Sequence, residues 1–196
     1  MKKHRQLIGC VLIGGESIRM GQPKHLLQYG GQSWLARINS CLQRSCDEVV
    51  VVGKGELPDG NWPLLADACG CCGPMAGVLA ALRRYPQAAL IVCACDMPEI
   101  SAAAVAWLIG QCQPDDWAVV PQIAGRLHPL FAIYDSRIRP VFEDLAHRNI
   151  MRMREVCGAR QVRIVEPPLE LHNAWRNIND PDELRFWRSG QKPKIG

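Results

Sequence analysis

Leu7-Ile8-Gly9-Cys10-Val11-Leu12-Ile13, closed by Gly14-Gly15, is the stretch on which the fold turns. It is short, apolar, partly β-branched and free of polar alternation, which predicts a strand buried on both faces and stopped by the glycine pair. Two more runs share this character: Val49-Val50-Val51-Val52, led in by Asp47-Glu48 and stopped by Gly53, and Ala89-Leu90-Ile91-Val92-Cys93-Ala94. Further strands are expected around Leu64-Leu65 and over 117–120, 130–134 and 162–165. Helices separate them. Ser33 caps one bearing Trp34, Leu35, Ile38, Cys41 and Leu42; Met75, Val78, Leu79 and Leu82 mark another after Gly73-Pro74; Ser101 caps a third with Val105, Leu108 and Ile109. Helices are also expected over 136–147 and 149–157. Asp180-Pro181-Asp182-Glu183 opens the last, with Leu184 and Trp187 as its buried stripe. The whole pattern predicts an α/β, three-layer, Rossmann-like fold, a mostly parallel sheet covered by helices on both faces. Such sheets bind ligands at the carboxyl ends of their strands, here just after Ile13, Gly53, Leu65 and Ala94.

The chain's 196 residues suit one domain, expected over 1–189, with 190–196 a short, polar, basic tail expected to be disordered. Its apolar fraction of 48% and charged fraction of 21% exclude a collagen-like or wholly disordered chain. A net charge of +4 is too small to argue for nucleic acid and suits anionic small molecules equally well. Ten cysteines fall short of the roughly 8–10% typical of a disulfide-built scaffold, and none shows zinc-site spacing. They read as small buried hydrophobes in a reducing compartment. Cys69, Cys71 and Cys72 stand apart, crowded into one loop before Gly73. Soft-metal or reactive thiol chemistry there is the alternative to packing. Lys2-Lys3-His4-Arg5 abuts the apolar run with no signal-peptide core between them, and no run approaches the ~18 apolar residues of a membrane span. A cytoplasmic protein, without membrane or nucleic-acid partners, is expected.

The chemistry gathers at two strand exits. The first reads Gly14-Gly15-Glu16-Ser17-Ile18-Arg19-Met20-Gly21-Gln22-Pro23-Lys24. Adjacent glycines let a ligand approach the backbone and leave N–H groups for anionic oxygens, and Arg19 and Lys24 add fixed positive charge. Neither a P-loop nor a dinucleotide fingerprint can be read here. The second exit is Cys95-Asp96-Met97-Pro98, whose carboxylate suits Mg²⁺ held together with phosphate oxygens and water. A phosphate cradle beside a metal anchor fits metal-assisted nucleotidyl transfer.

In these residues the chain resembles the molybdenum cofactor guanylyltransferases of the MobA type. Leu12-Ile13-Gly14-Gly15 through Arg19-Met20-Gly21 to Lys24 is similar to the family's opening motif, with Ile13 where Ala is usual. Asp67 with Gly73-Pro74-Met75-Ala76-Gly77, Cys95-Asp96-Met97-Pro98, His128-Pro129 and Asn177-Ile178-Asn179-Asp180-Pro181 match further segments in chain order. The resemblance implies a nucleotidyltransferase fold and the transfer of GMP from GTP to the terminal phosphate of molybdopterin, with release of pyrophosphate. By the same resemblance Gly14, Gly15 and Lys24 hold the triphosphate, and Leu12, Ile13, Gly73 and Pro74 are further binding residues. Arg19 meets charge at the α-phosphorus, Asp96 binds Mg²⁺, Asp67 falls on the nucleoside side, and Asn177 and Asn179 lie on the pterin side. Arg19, Lys24 and Asp96 are the catalytic set. Transient contact with a cofactor insertase or molybdoenzyme is a further implied partnership.

One departure bears on the base. Gly53-Lys54 stands where the family often carries an Asn for base recognition, whereas Gly14-Gly15 and the Gly73 to Gly77 segment favour guanine. CMP transfer to the same cofactor, a sugar-phosphate nucleotidyltransferase, and a non-catalytic nucleotide-binding delivery protein are the alternatives. Among secondary candidates, Arg148, Arg152 and Arg154 form a basic stretch that either meets the acceptor's phosphate or is a solvated face. His25 either adds a phosphate contact or points to solvent. His128 reads as structural, and Trp62, Trp107, Trp117, Trp175 and Trp187 as core or rim residues.

Overall fold

A computed structural model describes residues 5–14 and 22–189. Leu7–Leu12 is β1, and after a 3-10 turn at Lys24–Leu26 a two-stranded hairpin follows, β2 (Gln28–Tyr29) and β3 (Gln32–Ser33), turning on Gly30 and Gly31. Next come α1 (Trp34–Leu42), β4 (Glu48–Val52), β5 (Leu64–Leu65), α2 (Gly73–Arg84), β6 (Ala89–Ala94) and α3 (Ala102–Gly110). The second half holds β7 (Ala118–Ile123), β8 (Arg126–Leu127), β9 (Phe131–Asp135), α4 (Arg139–His147), β10 (Val162–Val165) and α5 (Pro181–Ser189). The main sheet runs β10-β7-β9-β6-β1-β4-β5, with β8 paired to β7. Its pairs are parallel except those made by β9 and β8.

The absence of polar alternation has a direct cause. In β1, Ile8, Cys10 and Leu12 face α2 and α4, while Val11, and Ile13 just past the strand, face α1 and α3. The same division separates Val50 and Val52 from Val49 and Val51, and Leu90 and Val92 from Ile91 and Cys93. Successive side chains point to opposite faces, and both faces are covered, so every position must be apolar. The expected mostly parallel, helix-covered sheet is therefore what forms. Ser33 and Ser101 cap their helices as expected: each hydroxyl accepts from the amide three residues on, at 3.1 and 3.2 Å. Each cap is worth about 1 kcal/mol.

The structure corrects several boundaries and one element. The segment expected as a helix over 149–157 is instead a 3-10 stretch, Met153–Gly158, burying Met153 and Val156 at a spacing of three. Asn149 takes a left-handed φ of 59° behind α4, which halts helical propagation. The helix expected over 136–147 opens as a 3-10 turn, Ser136–Ile138, before α4 begins. Leu184 and Trp187 are half-buried rather than a buried stripe, lying against Leu27, Trp34 and Ile178. Trp175, by contrast, is wholly in the core. The tail 190–196 lies outside the described residues, as do Lys2, Lys3 and His4. Among the described residues no helix is long and apolar enough to cross a membrane.

Candidate active site

β1, β4, β5 and β6 are parallel, so their exits open on one edge of the sheet. A cleft of about 390 Å³ lies there. Leu12, Ile13 and Gly14 leave β1 along its wall, with Lys24 from the following turn. Asp67, beyond β5, and Gly73 and Pro74, at the start of α2, form the opposite wall, and Cys95 and Asp96 close it behind β6. Leu12, Ile13, Gly14, Lys24, Asp67, Gly73, Pro74 and Asp96, all expected at the site from sequence, are thereby brought to one cavity. Gly15 and Arg19 lie outside the described residues.

Asp96 is the hub. Its backbone carbonyl accepts from the Ile178 amide at 2.9 Å, which ties the C-terminal segment to the end of β6. The Asn177 side-chain amide faces both Asp96 carboxylate oxygens at 3.3 Å, and Lys24 Nζ stands 3.5 Å from Oδ2. Lys24 Nζ also donates to Asn179 Oδ1 at 3.3 Å. The Lys24 and Asp96 side chains keep only 15% and 19% of their surface, so water screens the pair weakly. The bonds are nevertheless long, and they leave both groups with capacity for a ligand. Asn177 and Asn179 reach the cleft through these contacts and line a second, adjacent cavity.

Two close approaches set the cleft's shape. Gly77, on the first turns of α2, faces Leu12 and Asp67: a Cβ there would sit 2.9 Å from Leu12 Cδ2 and 3.4 Å from Asp67 Oδ1. Gly53 holds a φ of 129° where a side chain would run into the Ile13 carbonyl. The loop after β4 is braced from within by His25. This imidazole is buried, and its Nε2 lies 2.7 Å from the Glu56 carbonyl. A carbonyl only accepts, so Nε2 carries the proton. His25 therefore does not point to solvent, and it is not among the residues that line the cleft.

The donor set also decides what the cleft can hold. No group of three or more His, Cys, Asp or Glu converges on a metal position among the described residues. Asp67 and Asp96 are the carboxylates that line the cleft, and Asp96, next to Lys24, fits a divalent cation sharing most of its coordination with phosphate oxygens and water. Thiol chemistry does not fit at Cys95. Burial, then the Asp96 charge, pushes the Cys95 thiol up to about 12, and all ten cysteines are free. Cys69 and Cys72 are exposed and Cys71 half-buried on the loop between Asp67 and Gly73.

The basic stretch goes elsewhere. Arg148 pairs with Asp144 at 3.2 Å and Arg154 with Glu155 at 3.1 Å, and neither these nor Arg152 lines the cleft or the cavity beside it. That second cavity, about 320 Å³, is instead lined by Arg126, His128, His172 and Arg176. Sequence reading passed over Arg126 and Arg176. The only signal was their adjacency to His128-Pro129 and Asn177. His128, read as structural, faces this cavity, and burial, aided by Arg126 and His172, holds its imidazole below the usual histidine range.

Comparison with known proteins places this geometry in context. A family model described as the MobA-like NTP transferase domain matches residues 9–164. A probable molybdenum cofactor guanylyltransferase of Pelotomaculum thermopropionicum is 36% identical over 186 residues, covering 91% of this chain and 90% of that protein. The molybdenum cofactor guanylyltransferase of Desulfosudis oleivorans is 27% identical over 190 residues, covering 95% and 91%. Among solved structures, molybdopterin-guanine dinucleotide biosynthesis protein A from Archaeoglobus fulgidus superposes with a TM-score of 0.76 at 21% identity, covering 93% of this chain and 97% of that one.

Proposed function

The chain belongs to the family of MobA-like NTP transferase domains, and from that premise we propose that it transfers GMP from GTP to the terminal phosphate of molybdopterin. The observation that carries this reading is the Lys24–Asp96–Asn177 constellation at the carboxyl edge of the sheet, in a cleft walled by Gly14, Asp67 and Gly73. An acceptor phosphate oxygen forms a bond to the α-phosphorus, the bond from that phosphorus to its bridging oxygen breaks, and pyrophosphate leaves with the electron pair. The acceptor is already ionised, so no strong general base is needed. Positioning and charge neutralisation supply most of the barrier lowering.

In this reading Gly14 lets the triphosphate approach the backbone, and Lys24 neutralises it from a position braced by Asn179. Arg19, which with Gly15 falls between Gly14 and Lys24 in sequence, is assigned to the charge that builds at the α-phosphorus. Asp96 would hold Mg²⁺, which when bound would supply positive charge to offset that of the phosphates. Asn177 orients Asp96 for that role. Asp67 lies toward the nucleoside, and the names of the relatives favour guanine as its base.

The test is pyrophosphate release with Mg²⁺, molybdopterin and each nucleoside triphosphate in turn. Release with GTP alone is expected. Release with CTP but not GTP would overturn the guanine assignment, and tight GTP binding without turnover would favour a delivery protein.

A further inference from the structure

Three thiols crowd the loop that joins two lining residues of the cleft. Asp67 and Gly73 both face the cleft, and Cys69, Cys71 and Cys72 fall between them. Cys71 is half-buried and packs against the core on the α2 side of the sheet, whereas Cys69 and Cys72 are exposed. The exposed pair has C-x-x-C spacing, and a turn at Cys69-Gly70 bends the chain between them, with Gly70 at a left-handed φ of 77°. That bend shortens the span of three Cα steps toward the roughly 4.4–6.8 Å that a disulfide bridges. A Cβ placed on Gly70 or Gly73 would meet nothing within 4 Å, so the space beside both thiols is open.

The two ends of this loop differ in freedom. At the Asp67 end, the Ala68 amide donates to the Ala76 carbonyl at 3.2 Å, and a Cβ on Gly77 would sit 3.4 Å from Asp67 Oδ1. That end is fastened to α2. At the other end Cys72 is extended, with φ −138° and ψ 163°, and its side chain makes no capping bond to the helix it precedes. Gly73 follows with a left-handed φ of 62°. Any adjustment that joins Cys69 to Cys72 therefore falls on Cys72 and Gly73, and Gly73 lines the cleft. Other thiols are withdrawn from such chemistry. Cys10 and Cys93 are wholly buried in β1 and β6, and burial first of all pushes Cys46 up to about 12 and Cys157 up to about 11.

We propose that Cys69 and Cys72 are a reversible dithiol–disulfide site that controls nucleotide binding: the dithiol form takes the nucleoside triphosphate, and the disulfide form holds it weakly. The oxidant is a low-molecular-weight disulfide such as oxidised glutathione. One exposed thiolate attacks a sulfur of that disulfide, breaks its S–S bond and releases one glutathione thiolate. The second thiolate then attacks the mixed disulfide, forms the Cys69–Cys72 bond and releases the other. Two protein thiols lose two electrons and two protons, and the glutathione disulfide gains both to become two thiols. The proposal rests on the transfer reading only in requiring that the cleft take a nucleoside triphosphate. Because the bond and the nucleotide act on the same loop, each opposes the other by the same factor.

Peptide mass spectrometry without reductant, across a series of glutathione redox buffers, reads the bond, and GTP titration of each form reads the affinity. A Cys69–Cys72 bond is expected, with the GTP Kd about tenfold higher in the oxidised protein and restored by dithiothreitol. At fixed reduced glutathione, saturating GTP should raise the oxidised glutathione needed for half-oxidation by the same factor. Cys69→Ser and Cys72→Ser should each lose both the bond and the response, with the reduced-state Kd within about twofold of wild type. Cys71→Ser should keep both. No bond between Cys69 and Cys72, a bond through Cys71 instead, or an oxidised form that binds GTP as tightly as the reduced one would overturn the proposal. GTP binding that responds to oxidation, with no turnover on molybdopterin, upholds the switch and overturns the transfer reading. Turnover with a GTP affinity indifferent to the bond does the reverse, and a reduced protein that binds no nucleoside triphosphate overturns both.

Discussion

Asp96 and Asp135 sit at opposite edges of one sheet, and each faces cations, yet the two are handled differently. Asp135 ends β9, which runs antiparallel to β6, so its carboxylate emerges at the amino edge, opposite Ala89. It is buried and saturated. Arg137 Nε donates to Oδ1 at 2.8 Å, the Arg137 amide to the same oxygen at 2.9 Å, and Arg5 closes on the pair from the other side. Among the described residues the Asp96 carboxylate, at the carboxyl edge, is met only by contacts of 3.3–3.5 Å, and it opens on a cleft. A saturated carboxylate locks strands together, because removing a partner strands a charge. A loosely held one keeps its lone pairs for a ligand. The comparison assigns stability to one edge and chemistry to the other.

The strongest way to break that division is at the open edge. Lys24→Ala and Asp96→Asn are each expected to lower turnover by roughly 100- to 1,000-fold while the thermal midpoint stays within about 2 °C. A large loss of stability with modest loss of activity would reverse the assignment. At the closed edge, Asp135→Ala is expected to cost about 2 kcal/mol of unfolding free energy, discounted for the partial exposure of both arginines. That corresponds to a midpoint shift of about 5 °C, with GTP affinity unchanged by titration.

The smallest effect sharpens the contrast through thiols. Cys112 lines the cavity at the amino edge, where burial first, and then the Asp116 charge, pushes it up to about 11. The thiolate is the reacting form, so its alkylation should rise about tenfold per pH unit from 7 toward 11. Cys69 and Cys72, exposed on the loop between Asp67 and Gly73, should be alkylated first at pH 7.5, and GTP should slow them severalfold without affecting Cys112. Mass spectrometry of peptides resolves each site.

Much of this was legible before folding. Strand runs without alternation, serine caps and glycine stops are local features, so β1, β4, β6, α1 and α3 could be read within a residue or two. Leu12, Gly14, Lys24, Asp67, Gly73 and Asp96 could be gathered too, since each lies just past a strand exit or opens the helix beyond one, and those exits share an edge. What escaped was conformation set by distant partners. The segment after Asn149 carries helical spacing but runs as a 3-10 stretch, and His25 turned inward because a carbonyl from the 53–56 loop awaited it.

Sequence alone therefore determined the layered α/β architecture and the list of polar residues at its strand exits, because periodicity and local caps are properties of neighbouring residues. Only tertiary structure decided which of those residues meet. The antiparallel insertion of β9 sent Asp135 to the far edge, and the Ile178–Asp96 bond brought Asn177 and Asn179 to residues some eighty and more positions earlier. It also brought together Arg126 and Arg176, fifty positions apart. Strand direction and the convergence of charge depend on non-local pairing, which no short window of residues encodes.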